Sequence, residues 1–565
     1  MARLMCTTLR QAQCAAIYNG LQNNTMLPAL TVSNKGHNTI PTHCLRHSSS
    51  KQGQCPFTSS RSKSSAAAAF AAPIEDIAHL THDGSVKDFE ELPMPGGYSK
   101  GFMGSVAPLV HALKHGAFSK PHEYQSYTGK ELGPIYRQRY SGGWMVVLSD
   151  PNDIETAFRH VGKHPRRPII QPWVHHRKEA NMELGLITCD GEDWQRLRSA
   201  VSKGILRPNV VAKHVGNMHN IALEFVDKVR DVRRSDGVIP DIETELYKWA
   251  METSVKFLFD HTLDLLKKET LIAENEVFFD ALRVITFKSF YLLMLPESVF
   301  KYIPAKVNPL HQTNKAWDQV LHLGKKYLDE KMSSLARKAV RAEELDDGTF
   351  VAFLVMQDKL TPEEIYSVVG EILVASVDTT AYTTSWAIHL LSKNPNAQEK
   401  LYEEVQRVIP AGTTPVREQI DNMPYLKAVV KETQRLYPIT IATARILEDD
   451  IVIGGYNIPK GTQIQTNFYS ACRREDVFDD AEEFHPDRWL EHAHDKTYHP
   501  FASMPFGHGT RMCVGRRVAQ QEMYLVLAET VRNFKIVPSR SDVTSTCGII
   551  INPETSIEPK LIDRV

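Results

Sequence analysis

Apolar positions in this chain recur mostly every three or four residues, the spacing of one helix face, and alternate only locally. Helical patterns are predicted over residues 121–129, 313–337, 361–391 and 427–435, behind Asp150 and Asp190, and after Gly515. Asp150-Pro-Asn-Asp153 opens its helix with N-cap chemistry, and the helix from Asp190 carries acids in its first turn. Thr361-Pro362-Glu363-Glu364 combines a hydroxyl cap, proline at the first helical position and two acids. Residues 278–295 are apolar and aromatic. Alternation predicts two strands, 135–140 and 144–149, joined at Ser-Gly-Gly as a hairpin. Further strands are expected only near 440–467 and after 535, so helices dominate.

The chain has 565 residues of near-average composition, enough to bury a large core. Length alone allows three or four domains. No repeat and no long linker follows the Pro/Gly stretch at 91–97, which predicts one folded body, 75–565, behind a leader, 1–74. The leader holds no Asp or Glu, yet contains Arg3, Arg10, Lys35, Arg46, Lys51, Arg61 and Lys63 among many Ser, Thr, Asn and Gln. That composition is the mark of an organelle transit peptide. Without it the net charge of -1 becomes about -8, an acidic body. No run nears the roughly eighteen apolar residues that span a bilayer. Cys189, Cys472, Cys513 and Cys547 are widely spread without a CxxC pair, which predicts neither a disulfide framework nor a zinc site.

The most informative stretch is Phe506-Gly-His-Gly-Thr-Arg-Met-Cys-Val-Gly515. Its glycines let a loop turn tightly and approach a flat ligand. Cys513 falls where the loop meets a helix N-terminus, whose free N–H groups and dipole stabilise a thiolate. A thiolate so held suits the axial position of haem iron. The stretch resembles the haem-binding loop of the cytochrome P-450 family, Phe-Gly-x-Gly-x-Arg-x-Cys-x-Gly, at all six specified positions. The resemblance implies a mainly α fold with small β-sheets, haem b lying between a long central helix and the cysteine loop.

Other segments extend the resemblance. Trp194 and Arg198 share a helix face and match the family's partners of a haem propionate, as do Arg445 and Arg511. Phe506 completes the haem contacts. Asp378-Thr379 in the middle of the 361–391 helix matches the pair that routes protons to the oxygen site; Ser376 stands where the family usually has glycine. Glu432 and Arg435, three apart on one helix, match with Arg488 a buried structural network. Residues 278–303 and 313–337 correspond to the helices roofing the substrate cavity, with an apolar linker flanked by Lys288, Lys301 and Lys306 suited to peripheral membrane contact.

Two single electrons must come from outside, since no flavin or nicotinamide domain is recognisable. Lys427 and Lys431 with Arg516 and Arg517, extended by Arg473 and Arg474, are expected to form a basic island that steers an acidic ferredoxin. Together with the leader, this implies a mitochondrial monooxygenase on the matrix side of the inner membrane, using O2 and a hydrophobic substrate of sterol, steroid or secosteroid type. No nucleic-acid partner is expected. The competing readings are an endoplasmic-reticulum enzyme fed by a flavoprotein reductase, a haem-thiolate isomerase, and a haem-binding protein without turnover.

Overall fold

The computed structural model describes residues 86–564 except 98–102, 141–142, 163, 169, 268–272, 296, 342, 491–497 and 541–542. The leader, 1–74, lies outside the described residues.

Helices carry most of the chain, as the three- and four-residue spacing requires. The central helix is Pro362–Lys393, and its start forms a complete capping box: Glu364 N–H donates to Thr361 Oγ1 and Thr361 N–H to the Glu364 carboxylate. Thirty-two residues at about 1.5 Å rise make a rod long enough to cross the molecule. It packs on Ile242–Phe259, Pro309–Val340, Pro424–Leu436 and Arg516–Asn533. The core between these helices includes the fully buried Trp249, Trp317 and Trp386. The roof pair, Ala273–Met294 and Pro309–Val340, lie against each other and extend further than the pattern predicted.

The hairpin Ile135–Tyr140 and Gly143–Leu148 is antiparallel, with Tyr140 opposite Gly143, so its turn falls one residue earlier than expected. The second strand pairs in parallel with Gln463–Asn467, Met145 opposite Gln463, and that strand pairs antiparallel with Ala442–Ile446. Val146, Val147 and Leu148 are fully buried, as expected of a strand enclosed on both faces. Among the described residues three short ribbons complete the β structure: Ile451–Ile453 with Tyr456–Ile458, Phe534–Val537 with Lys560–Asp563, and Ser545–Cys547 with Ile551–Pro553.

The stretch expected to be an apolar surface linker divides. Phe290, Leu292 and Phe300 turn into the core. Tyr302, 89% exposed, and Val299 and Val307 remain outside.

Candidate active site

The Cys513 loop is closed by its own backbone. Cys513 N–H donates to Phe506 O at 2.8 Å. Gly507 and Gly509 sit at φ +70° and +74°, a conformation that a Cβ resists. Gly515 then caps helix Arg516–Asn533. Cys189, Cys472 and Cys547 are buried, whereas the Cys513 side chain is exposed. Surrounding protein nevertheless pushes its thiol pKa up, so the sulfur opens into a recess rather than bulk water; the Gly515 and Arg516 amides and the Arg198 charge pull the other way. In turn burial lowers the Arg198 pKa and the charge of a Cys513 thiolate raises it, so each feels the other's charge.

Arg511, two residues before the cysteine, reaches back to the helix Gly191–Ile205. Its guanidinium lies 3.8 Å from the centre of the buried Trp194 ring and bonds Asp190 and, at 2.8 Å, Pro165 O. Asp190 caps that helix without a side-chain cap bond, because its carboxylate serves Arg511 instead. Burial, then Arg167 and Arg445, hold the Arg511 pKa down at about 9; burial and then Arg167 hold Arg445 at about 10. Arg167 donates to Ile187 O at 2.7 Å and Leu186 O at 3.2 Å. The cluster carries excess positive charge: Asp190 faces Arg511 and Arg166, while Glu371 is paired with Arg177 at 3.3 Å. Guanidiniums that depress one another are a receptor for carboxylates.

The middle of the central helix carries the next group of candidate residues. Val377, Asp378 and Thr380 are buried, but Ala375 is exposed and Thr379, one turn on, is partly accessible. Thr379 Oγ1 donates to Ala375 O at 2.7 Å. Ser376 leaves the helix unbroken; its hydroxyl donates to Leu373 O at 3.0 Å and lies 2.8 Å from that of Ser254. Thr380 donates to Glu522 at 3.1 Å, fixing this helix to the one that follows the cysteine. Asp378 turns away from the accessible stripe. Its Oδ2 accepts from Thr286 of the roof at 2.6 Å, and burial pushes its carboxyl pKa up to about 6.

Glu432, Arg435 and Arg488 form the buried network their order in the chain implied. Glu432 Oε1 accepts from Arg435 at 2.8 Å and Arg488 at 3.0 Å, and Oε2 from Arg435 at 2.9 Å and Trp489 at 2.8 Å. Burial would raise the pKa of Glu432, but the bond and charge of Arg435, with Arg488, hold it below the usual range. Arg435 also donates to Cys472 O at 2.8 Å and Glu483 O at 2.9 Å, tying the segment before the cysteine loop to this helix.

Of the residues expected to form a basic island, Lys427 is partly committed within the fold, donating to Asp421 O at 2.6 Å and lying 3.7 Å from its carboxylate. Lys427, Lys431, Arg516 and Arg517 are all at least partly accessible, and the Lys431 ammonium lies 3.8 Å from the centre of the Trp489 ring. Arg473 and Arg474 are committed more fully. Arg473 bonds Leu436 O and Glu482, the latter at 3.2 Å, and Arg474 bonds Asp476 at 2.5 Å and Asp150 at 3.2 Å. Their charges are spent within the fold.

A flat tetrapyrrole with two carboxylates and an iron that takes a soft anion fits these residues: an accessible sulfur, a glycine-built loop, surplus guanidiniums and an open helix face. The class this defines is a cysteine-ligated haem protein. A sequence profile of the cytochrome P-450 family matches residues 103–560. The chain is 33% identical to the mitochondrial 1,25-dihydroxyvitamin D(3) 24-hydroxylase of Rattus norvegicus, over 85% of this chain and 91% of that one. It is 31% identical to cytochrome P-450 27C1 of Danio rerio, over 85% and 88%. With the mitochondrial sterol 26-hydroxylase of Homo sapiens it shares 32% over 77% and 84%. The chain therefore belongs to the cytochrome P-450 family, as a haem-thiolate monooxygenase.

Sequence reasoning missed Arg167, Asp190 as a partner of Arg511, and Thr286. The signal for the first was an arginine pair, Arg166-Arg167, set between Pro165 and Pro168 in a segment with no other reason to be basic.

Proposed function

We propose that this protein is a mitochondrial monooxygenase of the inner membrane's matrix face, comprising one catalytic domain, 75–565, behind a transit leader, 1–74. It hydroxylates a sterol, steroid or secosteroid with electrons passed from NADPH through a ferredoxin reductase and a ferredoxin. The observation that carries the reading is Cys513 in its recess beside Arg198 and the Arg511 cluster. The named relatives, two of them mitochondrial hydroxylases of sterol-derived molecules, support the substrate class and the compartment over the reticulum, isomerase and sensor readings.

Bound haem would supply dioxygen activation, by which, with two electrons and two protons, one oxygen atom would enter the substrate and the other leave as water. The protein's part is to hold and to deliver. Cys513 supplies the thiolate, with Arg198 and the helix-start amides lowering its cost. Trp194, Arg445, Phe506 and Arg511 seat the ring and its carboxylates, aided by Arg167. Asp378 carries a proton with a pKa near the working range, and the Thr379 hydroxyl on the accessible stripe passes it on. Glu432, Arg435 and Arg488 keep the cysteine side rigid. Lys427, Lys431, Arg516 and Arg517 dock the ferredoxin through charge, so binding weakens as salt rises.

Tyr302, Val299 and Val307, with exposed Lys301 and Lys306, give the roof a small apolar face with basic flanks for a peripheral bilayer contact. Among the described residues no helix is long and apolar enough to cross a membrane.

The test is a reduced carbon-monoxide difference spectrum of the purified protein, followed by ferredoxin-supported turnover of a sterol and secosteroid panel. A strongly red-shifted band, lost in Cys513→Ala, is expected. An unshifted band in folded, haem-loaded protein would sink the assignment.

A further inference from the structure

Asp378 lies on the central helix, yet its strongest partner is on the roof. Thr286, in the fourth turn of Ala273–Met294, donates its hydroxyl to Asp378 Oδ2 at 2.6 Å, and both residues are buried. Oδ1 makes no such close bond and is turned to the Tyr247 phenol, so one arm is held by the roof and the other is left to the helix Ile242–Phe259. The charged and titratable groups that face this carboxylate are Tyr247 of Ile242–Phe259, Arg283 of the roof helix and Tyr382 of the central helix itself. Arg283 lies over the Tyr247 ring at 5.5 Å, and the two tyrosine rings meet edge to face at 5.4 Å. Thr286 is the only one of these partners that is neither charged nor aromatic. It can hold the carboxylate without fixing its protonation state, since a hydroxyl both donates and accepts.

Thr286 is itself seated from a third direction. The turn between the ribbon strands Ser545–Cys547 and Ile551–Pro553 docks on its backbone: Ile549 N–H donates to Thr286 O at 3.1 Å. Gly548 makes the approach possible. A Cβ there would lie 2.5 Å from Thr286 O and 2.9 Å from Phe287 Cα, both backbone atoms of a helix that cannot yield cheaply. Roof helix, C-terminal turn and central helix thus meet at one residue, whose side chain and carbonyl point to the two neighbours.

We propose that Thr286, seated by the Gly548–Ile549 turn, is a positioning residue that sets the Asp378 carboxyl for proton delivery, so that the roof and the C-terminal ribbon control the proton supply. This rests on the proton role given above to Asp378. The geometry acts through hydrogen-bond direction: Thr286 holds the carboxyl at the roof, off the Thr379 stripe, and freed of Thr286 the carboxyl is left to the Tyr247 and Tyr382 phenols alone. A proton donor misplaced by about 1 Å costs on the order of 10²-fold in rate. The electrons from NADPH then end, with protons, on O2 as hydrogen peroxide or water, and less oxygen is transferred to substrate.

The experiment compares full-length holoenzyme with Thr286→Val, Thr286→Ser, Gly548→Ala and Asp378→Asn, reduced by NADPH through a ferredoxin and its reductase. The probe is 1,25-dihydroxyvitamin D3 or cholesterol, whichever the unaltered enzyme oxidises faster. Product formed per NADPH and the solvent deuterium isotope effect on turnover are read, with the carbon-monoxide spectrum and the substrate-induced spectral shift as controls of folding and binding. Thr286→Val is expected to lower product per NADPH about tenfold and raise the isotope effect at unchanged spectra. Thr286→Ser, which keeps the hydroxyl, restores both, and Gly548→Ala falls between. Unchanged coupling and isotope effect in Thr286→Val, alongside a defective Asp378→Asn, would overturn the inference and leave the proton role of Asp378 standing. An Asp378→Asn enzyme as active as the original would overturn both. Should Thr286→Val lose its spectrum, Thr286→Ser and Gly548→Ala decide: normal isotope effects in Gly548→Ala with a normal spectrum count against the proposal.

Discussion

The guanidinium of Arg511 lies over the Trp194 ring, 3.8 Å from its centre, while it bonds Asp190 at the start of the same helix. One side chain therefore joins the cysteine loop to a helix more than three hundred residues earlier. Its environment of burial, Arg167 and Arg445 already holds its pKa at about 9. A lysine, ordinarily near 10.4 and without the planar fork, would be brought close to neutrality by the same surroundings. Haem uptake by Arg511→Lys apoprotein is expected to weaken progressively between about pH 6.5 and 8.5, whereas uptake by the unaltered chain stays level. Soret absorbance after gel filtration across that range is the measurement.

Glu432 is fully buried with two arginines on it. Removal of its carboxylate in Glu432→Ala leaves Arg435 desolvated and unpaired, at a cost of about 3–5 kcal/mol. The variant is expected to show a much lower unfolding midpoint and poor haem retention. Calorimetry of the purified variant checks this, and a midpoint within error of the original would show the network to be dispensable.

Asp378→Asn keeps the shape of the side chain and removes its titration. Turnover is expected to fall by about 10²-fold, the scale of a positioned general acid, with substrate affinity unchanged. Stopped-flow turnover and substrate titrations separate the two quantities.

Glu522 bonds Thr380 in a site so dry that its pKa is pushed up to about 8 from an ordinary 4.5. Between those values the unfolded chain loses this proton and the folded one retains it, so the unfolded state binds fewer protons and stability falls as pH rises. Glu522→Gln removes that dependence. Thermal midpoints at pH 5.5 and 8 should differ less in the variant than in the original, and equal slopes would show that the carboxyl is already ionised in the fold.

Much of this site could be read from the chain because its determinants are local. The cysteine loop is ten consecutive residues whose backbone bends itself, and the capping box at Thr361 and Glu364 needs only three positions. Glu432 and Arg435 are one helical turn apart, so their contact follows from helix geometry. What was not legible depends on where distant segments meet. Asp190 carries the signature of a helix cap and spends its carboxylate on Arg511. Thr286 sits in an apolar run and meets Asp378 only because two helices cross there. Arg473 and Arg474 read as exposed charge, and only folding brings Glu482 and Asp150 to them.

The parallel pairing of Met145–Leu148 with Gln463–Thr466 has a consequence for how the molecule is made. The hairpin that begins the sheet leaves the ribosome long before its partner strand exists, and Val146, fully buried in the end, then has Ile135, Ile154 and Phe158 but lacks Leu447, Ile458 and Ile464 from its cluster. Pairings so remote in sequence are slow to close, and waiting strand edges are prone to stick to one another. The hairpin thus stays without its parallel neighbour until residues 463–466 are available. A chain cut short before Gln463 would be left permanently in that condition, with a strand prepared and no neighbour to receive it.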